Sequence, residues 1–411
     1  MKYILVIGDG MADNPVPELG GRTPLEAAAI PTLDALTAKG LLGSALTVPP
    51  SLPAGSDVAI MSIFGSDPLQ YFTGRSPLEA AGCGVKVEAG CASYRCNMIC
   101  VEDGDGPFAE KKILSHNAGS IEGEVSIAVI EALCADPAFK GELERLGMTI
   151  YPTPSFRHMA VQKHGDIADI VLKPPHDILG QVVGAYEFHG NENAKELWKL
   201  MELANRKLEH LPINEQRRAM GKKPANGIWF WAEGTAVALP DFVKNYEKNG
   251  SVISAVPLVH GIGVLTGLKM ITVEGATGEV DTNYAGKLQA AKDALMAGDD
   301  FVAIHLEAPD ESTHNGCLPD KLQAIEYLDS RILQPLDAWL REQGMDYRLL
   351  VISDHKTLMS TRTHDGDPVP FLLYDSRRDE NTGLTFSEQN AETGPYVEPA
   401  TKLMGMLFEL E

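Results

Sequence analysis

Six side chains of the types that bind divalent cations occur in a few short segments of this 411-residue sequence. They are Asp9, Asp310, His314, Asp354, His355 and His364. Asp310 and His314 lie four residues apart and would share one face of a helix. Asp354 and His355 are adjacent, and two neighbouring residues in a turn can both reach one cation. Carboxylate and imidazole together suit Zn²⁺ or Mn²⁺, so these ligands are enough for two metal ions if they converge.

The candidate nucleophile is Ser56, which follows a glycine-containing loop and precedes an apolar helical stretch. At a helix N-terminus, free backbone N–H groups stabilise an alkoxide or a phosphoryl oxygen. The spacing alone favours a simpler role, a serine that caps the helix. The segment matches neither GxSxG nor the GK[ST] of a phosphate-binding loop. A serine without a neighbouring base can still attack phosphorus when a metal ion binds it.

Basic side chains that could hold an anionic group are few. The candidate arginines are Arg75, Arg95, Arg157 and Arg362. Most single arginines are solvated surface residues, and this remains the first expectation for each of them. Arg157 and His158 are adjacent in a middle segment that we predict to be an insertion, so this pair could close over the metal ions.

The elements that must position these residues are short apolar runs separated by amphipathic helical stretches. The runs are Tyr3–Ile7, Phe301–Leu306, Arg348–Ile352 and Phe371–Tyr374, and the helical stretches include 287–297 and 321–342. Strands with little polar alternation, separated by helices, are typical of a parallel sheet covered on both faces. We therefore predict the α/β class. In such sheets chemistry gathers at the carboxyl ends of the strands, and most of the candidate ligands follow a predicted strand.

The middle of the chain has a different character. From about 105 to 185 it is punctuated by Gly and Pro and lacks strands that end in acidic residues. We predict a smaller capping domain at 106–185, inserted into a discontinuous main domain of 1–105 and 186–411. A helix at about 191–209 is expected to lead back to the main domain.

The composition limits the classes of partner. There are 35 Lys and Arg against 57 Asp and Glu, and the net charge of −22 would repel phosphate backbones, so no nucleic-acid or anionic-membrane partner is expected. No apolar run reaches the length of a membrane span, and Tyr3–Ile7 is too short for a signal peptide. Six cysteines without a CxxC pair predict reduced thiols in a cytoplasmic protein. The oligomeric state cannot be inferred from the sequence.

Six motifs occur in order along the chain. They are Asp9-Gly-Met-Ala-Asp13, Gly55-Ser-Asp57, Tyr71-Phe-Thr-Gly-Arg-Ser-Pro-Leu-Glu-Ala80, Glu307-Ala-Pro-Asp-Glu311 with His314, Ser353-Asp-His355, and His364 with Asp367-Pro-Val-Pro-Phe371. Together they resemble the archaeal-type, cofactor-independent phosphoglycerate mutases of the alkaline phosphatase superfamily. The resemblance runs nearly end to end, and the ordered set is highly specific. It implies a three-layer, alkaline-phosphatase-like α/β domain with a mostly parallel sheet and a smaller inserted α+β domain.

The same resemblance implies a role for each site residue. Ser56 would accept and return the phosphoryl group as a phosphoserine. The ligands of one metal ion would be Asp310, His314 and His364. Those of the other would be Asp9, Asp354 and His355 with the Ser56 oxygen. The implied reaction interconverts 3-phosphoglycerate and 2-phosphoglycerate, in glycolysis and gluconeogenesis, with two divalent ions (Mn²⁺, Zn²⁺, Co²⁺ or Mg²⁺) and without bisphosphoglycerate.

Three segments depart from the family pattern. Where the pattern reads Asp-Arg-Arg-Ala-Gly-Arg, this chain has Ser115-His-Asn-Ala-Gly-Ser120, which lacks three arginines. A lysine of the pattern is replaced by His260, and we count this histidine among the candidate substrate-binding residues with Arg75, Arg95, Arg157 and His158. After His355 the usual Thr-Pro context becomes Thr357-Leu358. The departures leave the ligands and Ser56 intact and leave the acceptor of the phosphoryl group open.

The leading hypothesis is an isomerase, a metal-dependent phosphoglycerate mutase acting on a small phosphorylated substrate. The runner-up is a phosphotransferase with the same chemistry and another acceptor, such as homoserine. The missing arginines favour it, and the chain resembles a bacterial subgroup proposed to be homoserine kinases. A third hypothesis is a non-catalytic metal-binding protein on the same scaffold. It is disfavoured because every proposed ligand and the serine are present together.

Overall fold

The computed structural model describes residues 1–410, and the chain divides into two compact units. Unit 1 consists of Met1–Phe72 and Ala238–Glu411, and unit 2 of Thr73–Val237. The strands are β1 (Lys2–Gly8), β2 (Leu41–Ala45), β3 (Cys91–Val101), β4 (Ile113–Ser115), β5 (Met148–Tyr151), β6 (Arg157–Lys163), β7 (Gly227–Thr235), β8 (Gly250–Ile253), β9 (Lys269–Ile271), β10 (Phe301–Leu306), β11 (Tyr347–Ile352), β12 (Lys356–Leu358), β13 (Thr363–Asp365), β14 (Val369–Asp375) and β15 (Tyr396–Val397).

The helices alternate with these strands. They are α1 (Pro24–Ala27), α2 (Pro31–Thr37), α3 (Ser56–Ile63), α4 (Pro68–Tyr71), α5 (Arg75–Gly82), α6 (Gly123–Ala135), α7 (Pro137–Leu146), α8 (Glu192–Leu208), α9 (Pro212–Ala219), α10 (Phe242–Tyr246), α11 (Pro257–Leu265), α12 (Tyr284–Met296), α13 (Ala308–His314), α14 (Leu318–Tyr327), α15 (Gln334–Glu342), α16 (Glu388–Ala391) and α17 (Lys402–Phe408). A π-helical segment, Leu328–Leu333, joins α14 to α15. Helices are thus present in both predicted stretches, 287–297 and 321–342.

The sheet of unit 1 has eight strands in the order β15-β2-β14-β11-β1-β10-β8-β9. Strand β14 is antiparallel to both of its neighbours, and the other strands run in one direction. Every residue of β10, β11 and β14 is buried. Because successive strand residues point to opposite faces, both faces of the sheet are covered. The predicted α/β class and the mostly parallel sheet are confirmed.

The register of this sheet brings three strand ends together. Strand β1 lies between β10 and β11, and Ile7 is level with His305 on one side and with Ile352 on the other. The chain therefore leaves all three strands at the same edge of the sheet. Asp9 follows β1, and Asp354 follows β11.

Unit 2 is built around an antiparallel sheet whose longest strand is β3. Strand β3 pairs with β4, β6 and β7, and β5 pairs with β6. Helix α8 packs on β7, and the core there includes Trp198 and Trp229. Aromatic residues supply much of the buried apolar area of such a core.

The division of the chain differs from the predicted insertion at 106–185, because unit 2 begins at Thr73 and ends at Val237. Strands β3 and β7 lie outside the predicted limits, yet each forms part of the unit 2 sheet. Helix α8 is found where a helix was predicted, but it belongs to unit 2 and does not lead back into unit 1. The strands of unit 2 pair antiparallel over long sequence distances. The composition of the middle region therefore did not reveal the limits of unit 2.

Two further expectations can be compared with the structure. All six cysteines are free, as predicted. Within residues 1–410, no helix combines the length and the apolar character that crossing a membrane requires.

Candidate active site

The seven proposed chemical residues all lie in unit 1, just after strand ends, on helices α3 and α13, or on the short strand β13. Asp9 and Asp354 leave the ends of β1 and β11, and His355 comes directly after Asp354. Asp310 and His314 lie on α13, the helix that follows β10. His364 lies on β13, and Ser56 is the first residue of α3.

The first group of ligands consists of Asp310, His314 and His364. The Nε2 atom of His314 lies 3.2 Å from Asp310 Oδ2 and 3.0 Å from the Nε2 atom of His364. The distance from His364 Nε2 to Asp310 Oδ1 is 3.4 Å. The helical spacing predicted for Asp310 and His314 is therefore found. The ring of His355 also lies near, with its centroid 4.1 Å from that of His364.

The second group consists of Asp9, Asp354 and His355, and all three side chains are buried. Asp354 Oδ1 accepts hydrogen bonds from the N–H groups of Gly10 and His355, at 3.0 and 2.8 Å. The other oxygen, Oδ2, lies 3.3 Å from His355 Nε2 and has no hydrogen-bond partner. Asp9 Oδ1 is likewise buried without a hydrogen-bond partner. Buried acceptors without a donor are costly, so both oxygen atoms fit a site for a cation.

Ser56 lies beside the second group. Its Oγ atom is 3.1 Å from His355 Nε2 and 3.5 Å from Asp9 Oδ2. The N-cap of α3 is Gly55, and Ser56 is the first helical residue. The simpler interpretation, a capping serine, is therefore wrong, because Gly55 occupies the capping position and leaves the Ser56 hydroxyl free to face the carboxylates.

The charges of the site depend strongly on burial. Burial, with repulsion from Asp354 and Asp310, raises the pKa of Asp9 well above its usual range. Burial would also raise the pKa of Asp310, but hydrogen bonds with His314 and His364 outweigh it and hold this pKa well below its usual range. The same bond to Asp310 raises the pKa of His314 to about 9. Such shifts are frequent where carboxylates converge on a metal or catalytic site.

Gly10 allows the two groups of ligands, that of Asp310 and that of Asp9, to approach each other. Its φ of +60° is in the left-handed region, and a Cβ atom there would lie 2.3 Å from Thr357 Oγ1 and 2.9 Å from Asp310 Cβ. Thr357 Oγ1 donates a 2.6 Å hydrogen bond to Asp310 Oδ1 and lies 3.2 Å from His355 Nδ1. A side chain at residue 10 would therefore push apart the contacts that join the two groups of ligands.

Replacing Gly10 with alanine is expected to lower the free energy of unfolding by about 2–4 kcal/mol, because backbone strain and a steric clash act together. Gly20→Ala is the matched control, since Gly20 has a φ of +69° and open space around its Cβ position. Its expected loss is about 1–2 kcal/mol from backbone strain alone. Urea unfolding of both variants measures the difference, and equal losses would contradict the proposed clash at residue 10.

Two residues of this site were missed by sequence reasoning, His305 and Thr357. His305 Nε2 lies 2.9 Å from Asp9 Oδ2. The predicted ligands lie beyond strand ends, whereas His305 lies within β10. A lone histidine in the otherwise apolar run Phe301–Leu306 was the available signal. Thr357 belongs to a segment that departs from the family pattern at Leu358, and nothing in its spacing indicates the bond to Asp310.

Among the predicted substrate-binding residues, Arg75 and Arg95 pair with Glu79 in unit 2. Arg95 Nε donates to Glu79 Oε2 at 2.5 Å, and a second bond joins the guanidinium to Glu79 Oε1. Arg75 Nε lies 3.1 Å from Glu79 Oε1. Arg95 is only 3% exposed, and its guanidinium also stacks 4.4 Å from the centre of the Trp231 ring. Arg95 therefore has a structural role in unit 2.

His158 is also structural. It is fully buried, its Nδ1 accepts from the N–H of Thr153 at 3.0 Å, and its Nε2 lies 3.4 Å from Ser126 Oγ. Burial lowers its pKa to about 4. Because neighbours within unit 2 use both ring nitrogens, the prediction that His158 binds substrate is not supported. Arg157 is partly buried and stacks 5.2 Å from the Phe156 ring, and its predicted role stays a prediction.

The remaining candidate, His260, lies on α11 in unit 1. Its Nε2 atom is 2.7 Å from the carbonyl oxygen of Ser254. The stretch 115–120 contains no arginine of its own and forms internal hydrogen bonds. Ser115 Oγ donates to Asn117 Oδ1 at 2.8 Å and accepts from the N–H of Gly119 at 3.0 Å.

Comparison with known proteins shows which proteins this chain resembles. A family model described as 2,3-bisphosphoglycerate-independent phosphoglycerate mutase matches residues 37–214. A protein of Methanosarcina barkeri with that name is 42% identical over 411 residues, which is the whole of both chains.

Two solved structures show the same fold. The structure of a protein from Pyrococcus horikoshii matches with a TM-score of 0.78 and 28% identity, covering 99% of this chain and 96% of the other. The cofactor-independent phosphoglycerate mutase from Thermoplasma acidophilum matches with a TM-score of 0.63 and 25% identity, covering 100% and 99%.

Proposed function

From the premise that this chain belongs to the 2,3-bisphosphoglycerate-independent phosphoglycerate mutases, we propose that it interconverts 3-phosphoglycerate and 2-phosphoglycerate through a phosphoserine at Ser56. The observation that carries the assignment of Ser56 is the position of its hydroxyl. The Oγ atom lies at the start of α3, 3.1 Å from His355 Nε2 and 3.5 Å from Asp9 Oδ2. A helix N-terminus favours the negative charge of a phosphoryl group.

Divalent metal ions fit the residues present. One ion would be held by Asp310, His314 and His364, and the other by Asp9, Asp354, His355 and the Ser56 oxygen. The buried oxygen atoms Asp9 Oδ1 and Asp354 Oδ2, which lack hydrogen-bond donors, support this assignment. Ions of this kind supply positive charge that stabilises a serine oxygen and the phosphoryl oxygens. Within this proposal the ion is Mn²⁺, Zn²⁺, Co²⁺ or Mg²⁺, since carboxylate with imidazole admits each of them.

The proposed reaction consists of two phosphoryl transfers. In the first, the bond from Ser56 Oγ to phosphorus forms and the bond from phosphorus to the C3 oxygen of the substrate breaks. The Ser56 hydroxyl loses its proton, and the released C3 oxygen takes one up. In the second, the bond from the C2 oxygen of glycerate to phosphorus forms and the bond from phosphorus to Ser56 Oγ breaks. The proton lost by the C2 hydroxyl balances the one that Ser56 Oγ takes up. The sum is an isomerisation that needs no bisphosphoglycerate.

The proposal includes a cytoplasmic location, which the six free cysteines support because a reducing compartment keeps thiols unpaired. Arg157 in unit 2 remains a proposed contact to the anionic substrate.

The proposed function is tested by a coupled assay on metal-loaded protein. Formation of 2-phosphoglycerate from 3-phosphoglycerate without added bisphosphoglycerate is the expected result. The stretch 115–120 contains no arginine, and its side chains form hydrogen bonds within the stretch. The missing arginines favour a second candidate function, phosphoryl transfer to another acceptor such as homoserine. Failure of the mutase assay, with homoserine phosphorylated by the same preparation when a nucleoside triphosphate is supplied as the phosphoryl donor, would establish that second candidate.

A further inference from the structure

Asp9 is held from behind by His305, a residue of β10. Strands β1 and β10 are parallel neighbours, and Ile7 is level with His305. The Nε2 atom of His305 lies 2.9 Å from Asp9 Oδ2, and the two side chains are 1% and 2% exposed. In the ionised form that binds a cation, a carboxylate can only accept a hydrogen bond, so in that form Nε2 carries the proton and donates it to Asp9.

The other ring nitrogen of His305 is also bonded. Its Nδ1 atom lies 3.1 Å from the Oγ atom of Ser254, which follows β8 on the far side of β10. Ser254 Oγ accepts a 3.0 Å hydrogen bond from the N–H of Val256, so its own proton is available for Nδ1. With both nitrogens bonded, the imidazole is fixed in one orientation and one tautomer.

The backbone on either side of this contact is fixed as well. Lys287 Nζ donates a 3.1 Å hydrogen bond to the carbonyl oxygen of His305, and His260 Nε2 lies 2.7 Å from the carbonyl oxygen of Ser254. Both contacts are within unit 1. The imidazole therefore has little freedom to turn away from Asp9.

This arrangement divides the two oxygens of Asp9 between different tasks. Oδ2 accepts from His305, whereas Oδ1 is buried and has no hydrogen-bond partner. The Nε2 atom of His355 lies 3.7 Å from Oδ1. An imidazole that donates a hydrogen bond to one oxygen of a ligating carboxylate orients the other oxygen towards the cation. It also reduces the conformational entropy that the carboxylate loses when the cation binds.

We propose that His305, supported by Ser254, is a positioning residue that orients Asp9 for its cation. The inference rests on the proposed function, since it takes Asp9 as a metal ligand. His305 does not touch the substrate in this proposal, and it acts only through Asp9. Residues of this kind typically change metal affinity by about 10–100-fold when they are replaced.

The experiment is a calorimetric titration with Mn²⁺ alone, without substrate. The wild type is expected to bind two equivalents. In His305→Phe, which keeps a ring but has no donor, one of the two affinities should fall by about 10–100-fold. His305→Gln, whose amide can donate from near the Nε2 position, should recover most of it. Ser254→Ala should weaken the same affinity by less.

Two backgrounds identify which affinity changes. In Asp310→Asn only the Asp9 site should remain, and His305→Phe should weaken it. In Asp354→Asn only the Asp310 site should remain, and His305→Phe should leave it unchanged. His158→Gln is the matched control, a fully buried histidine of unit 2 whose loss should alter neither affinity.

Several outcomes would overturn the inference. One is that His305→Phe binds two Mn²⁺ equivalents with the same affinities as the wild type. Another is that its Mn²⁺ affinity falls equally at both sites and the Tm of the metal-free protein falls too. A glutamine variant no better than phenylalanine would assign His305 a purely structural role. If the wild type itself bound no Mn²⁺, the proposed metal sites would fail together with the inference. If the wild type bound two Mn²⁺ ions and the His305 variants bound them equally well, the inference would fail and the proposed metal sites would stand.

Discussion

Replacing Ser56 with alanine is expected to lower the kcat for phosphoglycerate interconversion by about 10⁴-fold or more. The reason is that the transferred group must be held covalently between the two steps, and no second hydroxyl lies in the same position. Asp9, Asp354 and His355 supply the remaining protein ligands, so the variant should still bind both metal ions. Steady-state kinetics and elemental analysis of the same sample measure the two quantities.

Ser62→Ala is the matched control for this variant. Ser62 lies on the same helix, α3, and its hydroxyl donates to the carbonyl oxygen of Val58 at 3.2 Å. It is buried away from the ligands, so its replacement should leave kcat nearly unchanged. If Ser56→Ala retained more than about a tenth of the wild-type kcat, covalent transfer through Ser56 would be excluded, since loss of a nucleophile costs several powers of ten.

Replacing Asp310 with asparagine is expected to remove one metal equivalent and to lower kcat by about 10³-fold, which corresponds to several kcal/mol of lost charge stabilisation. Asp310 is 5% exposed and lies within 3.4 Å of both His314 and His364. The neutral amide removes the only carboxylate of this group, while its size stays almost the same.

Glu311→Gln is the matched control for Asp310→Asn. It removes the same charge from the neighbouring residue of α13, and Glu311 is not among the proposed ligands. The control should keep two metal equivalents and most of its activity. Undiminished metal content in Asp310→Asn, determined by elemental analysis after dialysis, would rule out the assignment of this residue.

The convergence of the ligands could be foreseen because parallel strands end at one edge of a sheet. Asp9, Asp310 and Asp354 each come after a buried apolar strand, and the pairing of β1 with β10 and β11 brings those strand ends side by side. The proximity of Asp310 and His314 could also be foreseen, because residues four apart share one face of a helix. His364 is different, since it lies on the short strand β13, whose pairing with β12 has no strong sequence signal.

The supporting residues of the site could not be predicted, for a physical reason. Thr357 and His305 act through hydrogen bonds whose partners are about 50 and 300 positions away along the chain. Such bonds depend on strand register, and the hydrophobic pattern does not specify which polar atoms face each other. The extent of unit 2 was hidden in the same way, because β3 and β7 become neighbours only when the sheet forms.

Arg95 and His158 show where residue type alone misleads. Arginine and histidine are residue types that suggest anion binding, but here a buried carboxylate, Glu79, and neighbouring backbone and hydroxyl groups satisfy them. A buried arginine needs a partner, and Glu79 provides it. Only the structure shows whether an arginine side chain is already paired with a carboxylate of the protein or is available to bind a substrate.

The measurement that most directly tests covalent transfer at Ser56 is identification of the phosphorylated residue. Metal-loaded protein is mixed with 3-phosphoglycerate, quenched in acid after a short interval, digested and analysed by mass spectrometry, with Ser56→Ala treated in parallel. We expect one added phosphoryl group on Ser56 in the wild type and none at any position in the variant. Phosphate on another residue, or an active wild type that never carries phosphate on Ser56, would contradict the proposed mechanism.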